Sequence, residues 1–211
     1  MLQSVANIDS LKKRLTFRQL SQYGPVIGLI GLYVGFSFLN DRFFTLSNQV
    51  NILQQISIIG ILAIGVTFPI LCAEIDLSIA QVMEVTGVTI ATLAVGARLF
   101  EGFAVPPFVA IIIGLSFGAV FGSLSGYVTA RFGVPSFMTT LAILFLADGL
   151  GLIISGNRPI IGLPSTITDV GGSNIYGVPS IILVFFLLLV LSQLVLSYTK
   201  FGLYIYAIGG D

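Results

Sequence analysis

The sequence predicts an all-α, polytopic transmembrane helix bundle of about six spans with a cytoplasmic N-terminus. Three observations carry that expectation. The chain has 211 residues, 56% of them hydrophobic and only 9% charged, against about 25% charged in soluble domains, and its mean hydropathy is +1.06. Charged side chains are absent from residues 43–73, 102–130 and 170–199, and each gap holds a span of about 20 residues. The alternating pattern of a membrane β-barrel is missing, so helices are the elements expected to satisfy their own backbone in lipid.

Hydropathy and breaker residues put the spans at about 23–39, 50–72, 77–96, 106–130, 135–155 and 177–198. Residues 1–22 are then a cytoplasmic tail, 23–198 the transmembrane domain, and 199–211 a cytoplasmic segment. Leu11-Lys12-Lys13-Arg14 precedes polar residues and a full-length span, so no cleaved leader is expected. Orientation follows from the cations, which are retained in the cytoplasm. With the N-terminus inside, Lys12, Lys13, Arg14, Arg18, Arg131 and Lys200 are cytoplasmic, and Arg42, Arg98 and Arg158 are outside. The polar stretch GNRPIIGLPSTITDVGGSNIYG, between the fifth and sixth spans, then faces outward.

The composition excludes several classes. With no His and a single Cys, the chain supplies neither the usual His/Cys metal cluster nor an internal disulfide, and Cys72 reads as a small buried apolar residue. No metal and no cofactor are expected. There is no Gly-rich phosphate loop ahead of a Lys and no evident triad, so no catalytic residue is assigned and the chain has no nucleotide site of its own. A formal net charge of zero gives no indication of nucleic-acid binding. Energy for any transport must come from a partner or an ion gradient.

The fourth span carries Gly114, Gly118, Gly122 and Gly126, a spacing that puts four glycines on one face and lets another helix approach closely. This is a packing signal; a flexible gate is the functional alternative. Four carboxylates lie in or beside spans: Glu74, Asp76, Glu84 and Asp148. Because a carboxylate facing lipid is costly, each is expected to face the protein interior or a water-filled path. Ser78-Ile79-Ala80-Gln81 fits a capping box, and Asp76 is placed to cap the same turn one step earlier. Such a helix start also presents free N–H groups and positive dipole, an arrangement found at the broken helices of transporters.

Glu84 lies eight residues after Asp76 and four after Ala80, so these positions form a slowly drifting stripe on the third span. Gln81 lies beside it, and Gly87 and Ala91 extend it. Such a polar-and-small face suits a helix lining a path for a hydroxyl-rich solute; a Glu84 hydrogen-bonded to a neighbouring helix is the plain alternative. Asp148, in LADGLG, is either an outer-side partner of Arg158 or a path residue.

Several phrases in order, FLNDRFFTLSNQVNILQQISIIGILAIGVTFPIL, EIDLSIAQVMEVTG, GVPSFMTTLAILFLADGLGLIISGNRPI and KFGLYIYAIGGD, resemble successive landmarks of the ribose-type permeases. These are the membrane subunits of bacterial ATP-binding-cassette (ABC) sugar importers. The resemblance runs through nearly the whole chain after the N-terminal tail. Four departures stand out: Ala73 and Glu74 replace two glycines before Ile-Asp-Leu-Ser, Ala80 replaces a glycine after it, and Glu84 and Asp148 occupy positions expected to be uncharged or basic. The family continues past the Tyr-Ile-Tyr-Ala-Ile-Gly-Gly phrase into a coupling helix and further spans, so the resemblance implies a C-terminally truncated chain, about two-thirds of a permease.

The resemblance implies a multi-pass protein of the bacterial plasma (inner) membrane that imports a monosaccharide or related polyol. Its implied partners are ABC ATPase subunits, a second permease copy or homologue, an extracytoplasmic sugar-binding protein and membrane lipid, with ATP hydrolysed by the partner. Asp76, Ser78, Gln81 and Glu84 are the expected path residues. Gly202, Tyr204, Tyr206, Gly209 and Gly210 match the segment leading to the ATPase. The rival expectations are an ion-coupled carrier using Glu84 and Asp148, and a truncated remnant without transport activity.

Overall fold

A computed structural model describes residues 23–210, which are overwhelmingly helical. The expected tail, 1–22, with Lys12, Lys13, Arg14 and Arg18, lies outside the described residues. Eight α-helices follow in order: α1 Gly24–Leu39, α2 Leu46–Leu71, α3 Ile79–Val95, α4 Pro107–Phe132, α5 Ser136–Ser155, α6 Ser165–Gly172, α7 Ser180–Tyr198 and α8 Lys200–Gly209. A 3-10 turn, Arg98–Phe100, follows α3, and strands β1 Asn174–Ile175 and β2 Val178–Pro179 pair antiparallel before α7. Among the described residues, five helical segments are long and apolar enough to cross a membrane: those starting at Leu46, Ile79, Pro107, Ser136 and Ser180. On the expected first span, α1 is a shorter apolar helix of 16 residues.

The helix ends follow from local chemistry. α4 to α7 each start after a proline in extended conformation, at Pro106, Pro135, Pro164 and Pro179. Proline's fixed φ and missing N–H suit such an entry, whereas Pro69 lies inside α2 near its end. α3, α4 and α5 end at Gly96, Gly133 and Gly156, each in the left-handed region that lacks a Cβ penalty for glycine.

The described residues fall into two compact units that divide after Ile52. In the first, Tyr33 on α1 hydrogen-bonds the Gln49 side chain, and its ring meets Phe43 and Phe44 edge-on at 5.0 and 5.4 Å. Asn48 and Gln49 donate side-chain amide protons to the Phe43 carbonyl, which fixes the turn into α2.

In the second unit α3 is the central helix, packed against both α4 and α5. Val85 is fully buried among Phe121, Ile143, Ala147 and Ile154, and a second cluster joins Leu93, Ala94 and Ala110. Buried Thr89 and Thr92 donate to the carbonyls of Val85 and Val88 at 2.7 Å, so their hydroxyls are satisfied within α3. Elsewhere the helices present apolar side chains outward, Leu187, Val190, Leu191 and Leu194 on α7 among them. That is the surface lipid or a partner helix covers.

The glycine stripe of α4 is only half a packing face for this chain. A Cβ on Gly114 would strike the Ile90 side chain and lie 3.0 Å from the Thr86 carbonyl oxygen, and one on Gly118 would lie 2.9 Å from Thr86 Oγ1. Nothing lies within 4 Å of a Cβ at Gly122 or Gly126. The close approach of α3 therefore ends after two of the four positions.

Candidate functional site

The phrase LCAEIDLSIA forms a break between two helices. α2 ends on a Schellman arrangement: the N–H of Ala73 donates to the Ile70 carbonyl at 2.9 Å and that of Glu74 to the Pro69 carbonyl at 3.0 Å. That motif needs a left-handed residue, and Ala73 supplies it at φ +59°. Glycine is the usual occupant, and the ribose-type resemblance puts one there. Glu74 contributes its backbone to this cap; no contact explains its exposed carboxylate.

The next residue, Ile75, has both backbone polar groups held by α5. Ser136 Oγ accepts its N–H at 3.1 Å, and Thr140 Oγ1 lies 3.3 Å from its carbonyl oxygen. The Thr140 proton is shared, with the Ser136 carbonyl the nearer acceptor at 2.8 Å. α3 then begins through Asp76, whose Oδ1 accepts the Ser78 N–H at 2.8 Å and the Ser78 hydroxyl at 2.7 Å. This corrects the expected capping box. Ser78 has helical backbone angles, unlike an N-cap residue, and its side chain caps nothing; the Asp76 carboxylate, which accepts the Ser78 N–H, takes the capping role. Asp76 is half-buried and Ser78 is 3% exposed, so this pair is built into the start of α3.

The stripe on α3 divides accordingly. Ala80, Glu84 and Gly87 are exposed and Gln81 half-buried, while Val85, Thr89 and Thr92 on the opposite side enter the core. Glu84 opens onto a cleft of about 310 Å³ lined by Val88 of α3, Leu152 and Ser155 of α5, and the turn carrying Asn157 and Arg158. A carboxylate, a guanidinium, an amide and a hydroxyl thus meet in one concavity with apolar walls, a composition suited to a small polar solute. Asp148 is exposed on α5, one turn before Leu152, and does not line the cleft. Arg158, its suggested partner, lines the cleft with Glu84 instead. The turn is anchored by Arg98, itself at φ +60°, whose Nη2 donates to the Pro159 carbonyl at 3.3 Å.

The terminal segment is helical over Lys200–Gly209. Thr199 Oγ1 accepts the Gly202 N–H at 3.2 Å and caps α8. A Cβ on Gly202 would collide with the Leu196 carbonyl, and one on Gly209 with the carbonyl of Leu71 at the end of α2. Both glycines are therefore required for close packing. Tyr204, Tyr206 and Gly210 are exposed.

Sequence reasoning missed Ser136, Thr140, Ser155, Asn157 and the role of Arg158. Ser136 and Thr140 carry one signal, hydroxyls a turn apart at the start of an apolar span, which put them on one face. Nothing in that spacing names Ile75 as their partner.

A multi-pass helical membrane protein with a broken helix and a polar cleft is the class this architecture defines. Residues 48–211 match the family described as "Branched-chain amino acid transport system / permease component", and the chain belongs to that family. It is 33% identical to the ribose import permease protein of Haemophilus influenzae over 92% of this chain and 59% of that protein. With the Escherichia coli ribose import permease protein the identity is 30%, over 95% of this chain and 61% of the relative. With the xylose/arabinose import permease protein of Sulfolobus acidocaldarius it is 33%, over 97% and 55%. The chain thus spans less than two-thirds of the length of these relatives. No solved structure matches it. Family and spans together make it a multi-pass inner-membrane permease component.

Proposed function

We propose that the chain forms part of the translocation path of an ABC importer for a monosaccharide or related polyol. The observation that carries this reading is 30–33% identity over nearly the whole chain to proteins named for ribose and xylose/arabinose import. The family description names branched-chain amino acids, and a cleft with Glu84 and Arg158 suits the charged groups of an amino acid as well as sugar hydroxyls, so the choice of a sugar rests on the relatives' names. ATP is bound and hydrolysed by separate ATPase subunits. A second permease copy or homologue covers the exposed faces of α3 and α4, and an extracytoplasmic binding protein delivers the sugar. Nucleotide-dependent switching of the ATPases shifts the spans between inward- and outward-open forms.

Within that assembly Gln81 and Glu84 face the path, and Asp76 with Ser78 fixes the helix that carries them. α8, with Tyr204 and Tyr206 exposed, approaches the ATPase, and 199–211 is its cytoplasmic lead. The N-terminus is cytoplasmic. This agrees with Arg131 and Lys200 belonging to one end of the second unit, where α5 begins beside the α2–α3 break and α8 meets α2, while Arg98 and Arg158 belong to the other.

Glu84→Gln in the full-length permease tests the path. It is expected to lower sugar uptake about tenfold or more while leaving assembly with the ATPase intact, because a charge-assisted hydrogen bond to a polar solute is worth roughly 1.5–3 kcal/mol. Unchanged uptake at equal membrane abundance would remove Glu84 from the path.

A further inference from the structure

The α2–α3 break is fastened to two elements remote from it in sequence. On one side, Gly209 of α8 lies against the Leu71 carbonyl, and a Cβ there would lie 3.2 Å from Cys72 Cα. On the other, Ile75 is bonded to Ser136 and Thr140, positions 61 and 65 residues away. Between these fastenings each helix is terminated independently, α2 by the Schellman bonds around Ala73 and α3 by Asp76. Residues 74–77 belong to neither helix. Apart from the packing of α3 against α4 and α5, the bonds at Ile75 are what hold this segment in place.

The geometry points to a joint in which Ser136, supported by Thr140, is a positioning residue: it holds the break against α5, so that displacement of α8 against Leu71 is passed to α3 and its Glu84 face. Ser136 is the decisive tie. Its Oγ is the acceptor for the Ile75 N–H, whereas the Thr140 proton is shared with carbonyls of its own helix. The part of this inference that concerns α8 rests on the ATP-driven reading given above; the fastening of the break by Ser136 does not.

Cys72, the single cysteine of these 211 residues and half-buried at the break, reports on both parts. The full-length permease, carrying Cys72 as its only cysteine, is labelled in membranes with a permeant maleimide. Ser136→Ala is expected to raise the labelling rate about fivefold, the change in an opening equilibrium that loss of one hydrogen bond of this kind produces, and Ser136→Thr to restore it. An unchanged rate in Ser136→Ala overturns the joint whatever the protein transports. In the assembled importer, Ser136→Ala is further expected to lower sugar uptake severalfold more than ATP hydrolysis, while Ser136→Thr keeps the wild-type ratio. Raised labelling with an unchanged uptake-to-hydrolysis ratio overturns the transmission from α8. Absence of ATP-driven uptake in the wild type contradicts the functional reading alone, and the labelling result still stands.

Discussion

Ala73 holds a left-handed backbone conformation at φ +59°, which costs an L side chain about 1–2 kcal/mol. Two hydrogen bonds across the end of α2 keep it there. Ala73→Gly is therefore expected to stabilise the protein by about 1 kcal/mol, seen as a higher thermal unfolding midpoint in detergent, and Ala73→Val to lower that midpoint. A lower midpoint for Ala73→Gly would contradict the strained cap. Asp76 was legible at this scale, because its partner lies two residues on and short polar side chains bond locally. Ser136 and Thr140 were not, because side-chain bonds to a backbone more than sixty residues away leave no local pattern. Glu84 was legible as a polar residue on an exposed face, but its cleft mates come from the far end of α5 and the turn beyond it.

At the scale of elements, hydropathy identified the long helices because each must bury or shed a continuous apolar surface, and proline and glycine fixed their ends. The short elements escaped it. α6 and the β1–β2 pair lie in a polar, glycine-rich stretch, and α8 is a ten-residue helix with two glycines, both demanded by contacts with Leu196 and Leu71. The four-glycine face of α4 was visible in the sequence, but how far α3 follows it depends on the crossing of the two helices. Gly114→Leu is expected to overpack that crossing and destabilise the folded permease by about 1–3 kcal/mol; Gly126→Leu, with open space at its Cβ, is expected to have a markedly smaller effect. Thermal aggregation of the two solubilised variants checks this, and equal losses would mean that the α4 face is used along its whole length.

For the molecule as a whole, alternation of ends along the chain is the property that organises everything else. It brings the α2–α3 break, the start of α5 and α8 to one end and the Arg98–Pro159 contact to the other. With the N-terminus cytoplasmic, Ser165→Cys should react with an impermeant maleimide from outside intact cells and Lys13→Cys should not; the reverse pattern would invert the molecule. Sequence could indicate this arrangement because cations mark the loops. The carboxylates alone do not choose the energy source, because those on α3 and α5 suit an ion-coupled carrier as well as a sugar path; the resemblance of the FGLYIYAIGGD terminus to an ATPase-docking segment is the feature that favours ATP.

Uptake into proteoliposomes containing the full-length permease, its ATPase and its binding protein decides that choice. An ATP-driven importer accumulates a monosaccharide or polyol only with ATP at the ATPase face, and the accumulation persists when proton and sodium gradients are collapsed. Accumulation driven by an ion gradient without ATP would contradict the ATP-driven reading.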